Sequence, residues 1–210
     1  MVLFDLDGTL VDTRSAILGA YISAIQTAVG YEIQPDQDHV DDILRRRPIE
    51  YFAQHYPPFA ETMEDLYAKN YRSDNVVIYQ GIAELLGDLV KHEAVGIVSN
   101  KGRNRIHSDL RHVGLDPSMF GVIVGAEDTP DRKPHPAPIL KALSLNGISP
   151  RISTYVGDGP HDMAAAKAAG VRAIGVVWGY YPAHNLRTAG ADQICEDVRS
   201  LANLLLSRSL

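Results

Sequence analysis

The chain alternates short apolar runs with longer segments in which apolar residues recur every three or four positions. The apolar runs fit buried strands, and the periodic segments fit amphipathic helices. Strands are predicted at 2–6, 94–98, 121–125, 152–156 and 172–177. Helices are predicted at 81–91, 103–112, 136–146, 161–169 and 197–207. Such alternation is typical of a Rossmann-like α/β domain, in which a parallel sheet carries helices on both faces.

The segment 13–79 interrupts this alternation. Apolar residues recur in it at helical spacing, as at Ile17, Tyr21 and Ile25. The pattern predicts an α/β core domain formed by 1–12 and 80–210, with 13–79 inserted as an α-helical domain. A chain of 210 residues is long enough for one core domain and an insertion, but not for two full-sized domains.

The first predicted strand ends in two aspartates, Asp5 and Asp7, and Gly8 then permits a sharp turn. Side chains alternate along a strand, so both carboxylates would point to one side if the strand continued. Two like charges held together are costly unless a cation lies between them or one is protonated. Oxygen ligands favour Mg²⁺, so the pair suggests a magnesium site. A solvated Asp-Gly turn explains the same residues.

Two further segments carry polar side chains that could bind a phosphate. Ser99 and Asn100 follow the predicted strand 94–98, at the end where open α/β sheets bind ligands. Ser99 would serve equally well as the N-cap of the next helix. Lys133 precedes Pro134, which disfavours helical geometry and would let the ammonium project toward an anion. A solvated loop lysine is the alternative interpretation.

A glycine-rich turn follows the predicted strand 152–156. It carries Asp158 between two glycines, and Asp162 begins a helix rich in alanine. The helix dipole alone explains an acidic residue at the position of Asp162. Asp158 lies at a strand end outside the helix, and so it is the stronger candidate for a ligand-binding residue.

Together these segments resemble the four motifs of the haloacid dehalogenase-like (HAD) hydrolase superfamily, in the same order. The matching residues are Asp5-Leu6-Asp7-Gly8-Thr9, Ser99-Asn100, Lys133-Pro134, and Gly157-Asp158 followed by Asp162. Each motif is weak alone, but four motifs in order at predicted strand ends or helix starts are a strong joint signal. The chain is most similar to the phosphoglycolate phosphatase-like branch, through Leu10-Val11-Asp12-Thr13 and Val177-Trp178-Gly179-Tyr180.

The resemblance implies catalysis through an aspartyl-phosphate. Asp5 would be the nucleophile that attacks phosphorus. Asp7 would be the general acid for the leaving alcohol and then the base for the attacking water. Ser99 and Lys133 would bind phosphoryl oxygens and stabilise their charge. The further substrate-binding residues of the core would be Gly8, Thr9 and Asn100.

The resemblance also implies a Mg²⁺ cofactor. Its ligands would be the Asp5 carboxylate, the Asp7 backbone carbonyl and Asp158, with waters and a phosphate oxygen completing the octahedron. Asp162 would orient a metal-bound water from outside the ligand set. The chain departs from the usual family pattern at Gly159, where Ser or Thr is frequent, and at Gln80, where Pro is common. Neither departure removes a charged catalytic group.

In this superfamily an insertion after the first strand is a cap over the active site. The insertion here contains three successive arginines, Arg45, Arg46 and Arg47. Such a run is usually a solvated face. A planar guanidinium could instead bind a carboxylate of the substrate, so the three arginines are candidate substrate-binding residues.

Composition and charge narrow the range of partners. A formal charge of −6 argues against a nucleic-acid-binding protein, whose surface would be basic. No apolar run reaches the ~20 residues that span a bilayer, and a strand starting at residue 2 argues against a signal peptide. The single cysteine excludes an intramolecular disulfide and fits a reducing cytoplasm. We expect a cytoplasmic monomer or homodimer that binds a small phosphorylated metabolite, not nucleic acid or membrane.

The predicted function is a Mg²⁺-dependent phosphatase that hydrolyses a small phosphomonoester, with phosphoglycolate as the leading substrate. A sugar-phosphate mutase would keep the same aspartates but would need the cap to rebind the intermediate. A hydrolytic dehalogenase is disfavoured, because halide departure does not need the acid–base group that Asp7 supplies. A non-catalytic binding protein on this fold would not need the whole set Asp5, Asp7, Ser99, Lys133 and Asp158.

Overall fold

The computed structural model describes residues 1–207, which form two compact units. One unit combines Met1–Asp12 with the chain from Val77 onward, and the other is Thr13–Val76. The helical unit therefore ends at Val76 and not at 79, because the chain next enters a short strand that pairs with Val11–Asp12 of the larger unit.

The smaller unit is helical, as its sequence pattern predicts. Its helices are α1 (Arg14–Val29), α2 (Gln37–Arg45), α3 (Pro48–His55) and α4 (Ala60–Asn70). Aromatic side chains form its core around Tyr21, which is 1% exposed. The Tyr21 ring lies 4.9 Å from Phe52 and 5.0 Å from Tyr67, measured between ring centroids.

The larger unit is built on a parallel sheet. Its strands are β1 (Val2–Phe4), β2 (Val11–Asp12), β3 (Val77–Ile78), β4 (Val95–Val98), β5 (Val122–Val124), β6 (Thr154–Gly157), β7 (Arg172–Val176) and β8 (Gln193–Cys195). Six of them form one sheet in the order β5-β4-β1-β6-β7-β8, with all neighbours parallel. Strands β2 and β3 pair antiparallel in a separate ribbon. All five predicted strands are present, each within two residues of its predicted ends.

Helices connect the strands of the sheet. They are α5 (Ile82–Leu89), α6 (Arg103–His112), α7 (Ala137–Leu145), α8 (Pro160–Ala169), α9 (Ala183–Thr188) and α10 (Val198–Leu206). Small residues let α8 pack closely on the sheet, and Ala165 and Ala166 are fully buried beside Leu3 and Tyr155. These features confirm the predicted Rossmann-like α/β class. Among residues 1–207, no helix combines the length and the apolar character needed to cross a membrane.

The central position of β1 determines where a ligand can bind. From β1 the chain continues through β4 to β5 on one side, and then returns through β6 to β8 on the other. The sheet therefore changes its winding direction beside β1. Open α/β sheets bind ligands at such a point, beyond the carboxyl ends of the strands.

Candidate active site

Three neighbouring strands deliver the predicted polar residues to one edge of the sheet. Asp5 follows β1, and its N–H donates to the Val156 carbonyl of β6 at 2.9 Å. Ser99 follows β4, and its N–H donates to the Val124 carbonyl of β5 at 3.0 Å. Asp158 follows β6 directly. The parallel ladder thus brings to one edge of the sheet residues that are far apart in the sequence.

Lys133 contacts Asp5, the predicted nucleophile, and is buried, with 3% of its surface exposed. Its Nζ is 2.9 Å from Asp5 Oδ1 and 2.7 Å from Asp162 Oδ1. It also donates to the Tyr155 hydroxyl at 2.7 Å, and this hydroxyl donates to the Val98 carbonyl at 2.6 Å. Lys133 is therefore a buried residue oriented by its contacts and not a solvated loop lysine.

Asn100 holds the main chain of Lys133. Its Nδ2 donates to the Lys133 carbonyl at 2.9 Å, and its Oδ1 accepts from the Lys133 N–H at 3.0 Å. Both ends of the amide are thus engaged by one residue. In this structure Asn100 fixes the loop that presents Lys133, and its predicted contact with substrate stays a prediction.

Ser99 is 4% exposed, and its hydroxyl accepts from the Lys101 N–H at 3.2 Å. It is not the N-cap of α6, a position that Gly102 occupies. Because its N–H belongs to the sheet, the group that Ser99 can offer a phosphate is the hydroxyl, which retains its proton for donation.

Asp7 contacts a different lysine, Lys101. Lys101 Nζ donates to Asp7 Oδ1 at 2.6 Å and lies 2.5 Å from Oδ2 of Asp109, a fully buried residue of α6. Burial alone would lower the pKa of Lys101, but the two carboxylates outweigh it and raise that pKa above its usual value. Lys101 is therefore an ammonium ion that contacts Asp7 directly.

Two glycines make room for the Asp158 carboxylate. Gly8 has φ of +75°, and a Cβ there would collide with Asp158. A Cβ on Gly179 would meet both Asp158 and the Gly8 carbonyl. Asp158 accepts hydrogen bonds from the Tyr180 N–H at 2.7 Å and from the Thr9 hydroxyl at 3.4 Å. In this structure the predicted site residues Gly8 and Thr9 therefore shape the position of Asp158.

The buried carboxylates carry more negative charge than the neighbouring lysine can balance. Burial, together with the charges of Asp162 and Asp5, raises the pKa of Asp158 well above its usual value. Burial also raises the pKa of Asp5, against the opposing effect of Lys133. For Asp162 the effect of burial is outweighed by His161 and Lys133, which lower its pKa. Asp5 and Asp162 share the Lys133 ammonium, and a divalent cation would relieve the repulsion among the three buried carboxylates.

Two sets of residues could hold such a cation. Ligand atoms of Asp5, His161 and Asp162 lie within 4.8 Å of one another. The Lys133 ammonium already contacts both aspartates of this set, so a cation there would meet a like charge. Asp158 accepts hydrogen bonds from neutral donors. Asp158 therefore suits a cation better than Asp162 does, and carboxylate oxygens are the ligands that a hard metal ion prefers.

The three arginines of the helical unit have local acidic partners. Arg45 pairs with Asp41 at 3.1 Å, Arg46 with Asp42 at 2.5 Å, and Arg47 with Glu50 at 2.7 Å. Their side chains are between 35% and 47% exposed. Exposed pairs of this kind contribute little to stability, and the predicted contact of these arginines with substrate stays a prediction.

The structure adds four residues that the sequence did not single out for a role. Lys101 follows Ser99 and Asn100 at a strand end, a position that could have signalled it. His161 precedes Asp162 in the first turn of α8. Tyr155 lies within an apolar strand and Asp109 within a helix, and neither has a local sequence signal. Their roles arise from contacts between distant segments.

The chain is similar to known proteins in sequence and in fold. Pyrophosphatase PpaX from Anoxybacillus flavithermus is 31% identical over 219 residues, covering 97% of this chain and 95% of that protein. Phosphoglycolate phosphatase from Pseudomonas putida is 27% identical, covering 96% of this chain and 78% of that protein. In fold, the chain is similar to a haloacid dehalogenase-like family protein from Streptococcus pneumoniae, with a TM-score of 0.86 at 22% identity. That match covers 98% of this chain and 97% of the other.

The sequence model of the haloacid dehalogenase-like hydrolases matches residues 2–176. The matched region contains every predicted catalytic and metal-binding residue, from Asp5 to Asp162. It runs through both compact units and ends with the last residue of β7. The chain therefore belongs to the haloacid dehalogenase-like hydrolase family.

Proposed function

We propose that this protein is a Mg²⁺-dependent phosphatase that hydrolyses a small phosphomonoester through an aspartyl-phosphate on Asp5. The observation that carries the proposal is the buried group of Asp5, Lys133 and Asp158 at the carboxyl edge of the sheet. Family membership makes the chain a hydrolase, and relatives named pyrophosphatase and phosphoglycolate phosphatase support transfer of a phosphoryl group to water.

Asp5 supplies the nucleophilic carboxylate. It attacks phosphorus as the bond to the leaving oxygen breaks, and water later releases phosphate and regenerates the carboxylate. Lys133, 2.9 Å from Asp5 Oδ1, favours the ionised carboxylate against the effect of burial. Mg²⁺, held by Asp5, Asp158 and the Asp7 carbonyl, would supply positive charge to the phosphoryl group.

Asp7 transfers the protons. It gives a proton to the leaving oxygen in the first step and takes one from the attacking water in the second. One aspartate must stay ionised while the other carries a proton, which requires different surroundings for the two. In support of this division, the Asp7 side chain is 21% exposed, whereas that of Asp5 is 7% exposed.

Phosphoryl oxygens would bind to the Ser99 hydroxyl and the Lys133 ammonium. Both groups lie on fixed main chain, because Ser99 is held by β5 and Lys133 by Asn100. Donors fixed in advance stabilise the charge of phosphoryl transfer without reorganising. Asp162 holds Lys133 through an ion pair at 2.7 Å and accepts a hydrogen bond from the Gly159 N–H at 2.9 Å.

Phosphoglycolate is the leading substrate of the proposal for two reasons. An arginine of the helical unit would suit its carboxylate, and the relative from Pseudomonas putida is named phosphoglycolate phosphatase. Inorganic pyrophosphate is a second candidate, because relatives named PpaX reach 31% identity over nearly the whole chain. Both compounds are small and carry a second anionic group beside the phosphoryl group that is transferred. The same cleavage chemistry at Asp5 would serve either.

The proposal is tested by measuring phosphate release from a panel of phosphorylated compounds. The panel contains phosphoglycolate, pyrophosphate, a sugar phosphate and p-nitrophenyl phosphate, each with Mg²⁺ and with EDTA. We expect turnover that requires Mg²⁺ and is absent in Asp5→Asn. Release of phosphate by Asp5→Asn at the wild-type rate, or wild-type activity that resists exhaustive chelation, would refute the proposal.

A further inference from the structure

Each of the two catalytic aspartates contacts its own buried lysine, and each lysine is anchored by a second buried aspartate. Asp5 contacts Lys133, which Asp162 anchors. In the same way Asp7 contacts Lys101, whose side chain is 6% exposed and pairs with Asp109. The first arrangement belongs to the phosphate site, and the second has no part in the mechanism described above.

We propose that Lys101 is a positioning residue that orients the Asp7 carboxyl group for proton transfer, with Asp109 holding Lys101 in place. This inference rests on the proposed function, since it assigns Asp7 to acid–base catalysis. Lys101 Nζ binds Asp7 Oδ1 at 2.6 Å, and so the inference assigns the transferred proton to Oδ2.

The Asp7 main chain is fixed without help from Lys101. Asp7 forms a β-bridge with Val11, and the Gly8 N–H donates to the Val11 carbonyl at 2.9 Å. The turn thus sets the Cα position of Asp7 but not its side-chain rotation. Lys101 supplies the contact that sets the rotation, because its own position is fixed by a residue of α6.

The chemistry gives this contact a distinctive consequence. In the first step a bond forms between Asp5 and phosphorus, the bond to the leaving oxygen breaks, and the Asp7 proton moves to that oxygen. An alcohol leaving group needs this proton, whereas p-nitrophenolate is stable without it. Misplacing Asp7 should therefore slow the hydrolysis of alkyl phosphates more than that of p-nitrophenyl phosphate.

The test compares Lys101→Met with Lys101→Arg, which keeps the charge. We expect Lys101→Met to lower kcat/KM for an alkyl phosphate by about tenfold to a hundredfold, a fraction of the full effect of a general acid. On p-nitrophenyl phosphate the loss should stay below about threefold, and Lys101→Arg should recover part of the alkyl activity. A second variant, Lys101→Met with Asp109→Asn, avoids an unpaired buried charge and should show the same selectivity.

A double-mutant cycle separates positioning from a structural role. In an Asp7→Asn background, Lys101→Met should cause no further loss, because the group that it positions is gone. Equal losses on both substrates, or an undiminished effect of Lys101→Met in that background, would overturn the inference while leaving the phosphatase intact. A wild-type protein that hydrolyses no phosphate ester would instead refute the proposed function.

Discussion

The ammonium of Lys133 lies 2.9 Å from Oδ1 of Asp5, and both side chains are almost fully buried. Removing one partner of a buried ion pair leaves an uncompensated charge, which costs about 3–5 kcal/mol. We therefore expect Lys133→Met to lower the free energy of unfolding by about this amount in urea titrations without metal. The matched control is Lys167→Met, which removes an exposed pair with Asp192 and should cost less than about 1 kcal/mol.

Lys133→Met should also reduce kcat on every phosphate ester, by about 100-fold to 1,000-fold, because a fixed donor to the transferred group is lost. The loss in kcat and in kcat/KM should be similar for alkyl and aryl phosphates, in contrast to the selective effect on kcat/KM expected for Lys101→Met. Steady-state kinetics on phosphoglycolate and p-nitrophenyl phosphate measure this difference. Wild-type kcat in Lys133→Met would show that Lys133 does not contact the transferred phosphoryl group.

Adding one methyl group beside Asp158 should weaken Mg²⁺ binding. Gly179→Ala should displace the Asp158 carboxylate, since the added Cβ would meet it. We expect the Mg²⁺ concentration for half-maximal activity to rise, in the direction also expected for Asp158→Ala. Gly87→Ala is the control, because a Cβ at this helical position meets nothing within 4 Å and should leave the Mg²⁺ requirement unchanged. An unchanged requirement in Gly179→Ala would argue against Asp158 as a ligand.

The pH dependence of metal binding has a predictable sign. Burial, Asp162 and Asp5 raise the pKa of Asp158 and so favour its protonated form in the metal-free protein. Mg²⁺ must displace that proton, and so the Mg²⁺ concentration for half-maximal activity should fall as the pH rises. The pH dependence should be weaker in Asp158→Asn and unchanged in Asp88→Asn, whose carboxylate is exposed beside Lys91. A Mg²⁺ requirement independent of pH would contradict the assignment.

Alanine variants of the three successive arginines test whether they recognise substrate or form a solvated face. We predict that one of Arg45→Ala, Arg46→Ala and Arg47→Ala lowers kcat/KM for phosphoglycolate by about 30-fold or more. The reason is that the carboxylate of the bound substrate would lose its guanidinium partner, which costs about 2–5 kcal/mol in a desolvated pair. Hydrolysis of p-nitrophenyl phosphate, which has no carboxylate, should hardly change. If all three variants keep full activity on phosphoglycolate, the arginines serve only their local pairs with Asp41, Asp42 and Glu50.

Local patterns in the sequence were sufficient to predict most of the fold. Val2-Leu3-Phe4 is apolar on both faces, as a strand between two parallel neighbours must be, and it lies between β4 and β6. Strand β8 was not predicted, because only three residues, Gln193–Cys195, pair at the edge of the sheet. So short a run has no periodicity that distinguishes it from a loop.

The candidate site was predictable where its residues follow strands and not where they depend on tertiary contacts. Asp5, Ser99 and Asp158 each end a strand, and the parallel sheet brings such ends together. The buried partner of Lys101 could not be foreseen, because Asp109 lies inside α6 and reaches Lys101 only after the helix packs. For the same reason the sequence did not show that the Asn100 amide holds the Lys133 main chain.

Phosphorylation of Asp5 can be measured by quenching a reaction with p-nitrophenyl phosphate in acid and mapping the phosphate by mass spectrometry. Asp7→Asn should accumulate the intermediate, because release of phosphate needs a base whereas p-nitrophenolate departs without an acid. We predict phosphate on Asp5 in Asp7→Asn, and none in a variant that also carries Asp5→Asn. Phosphate on any other residue, or turnover without a phosphorylated Asp5 in Asp7→Asn, would contradict the covalent mechanism.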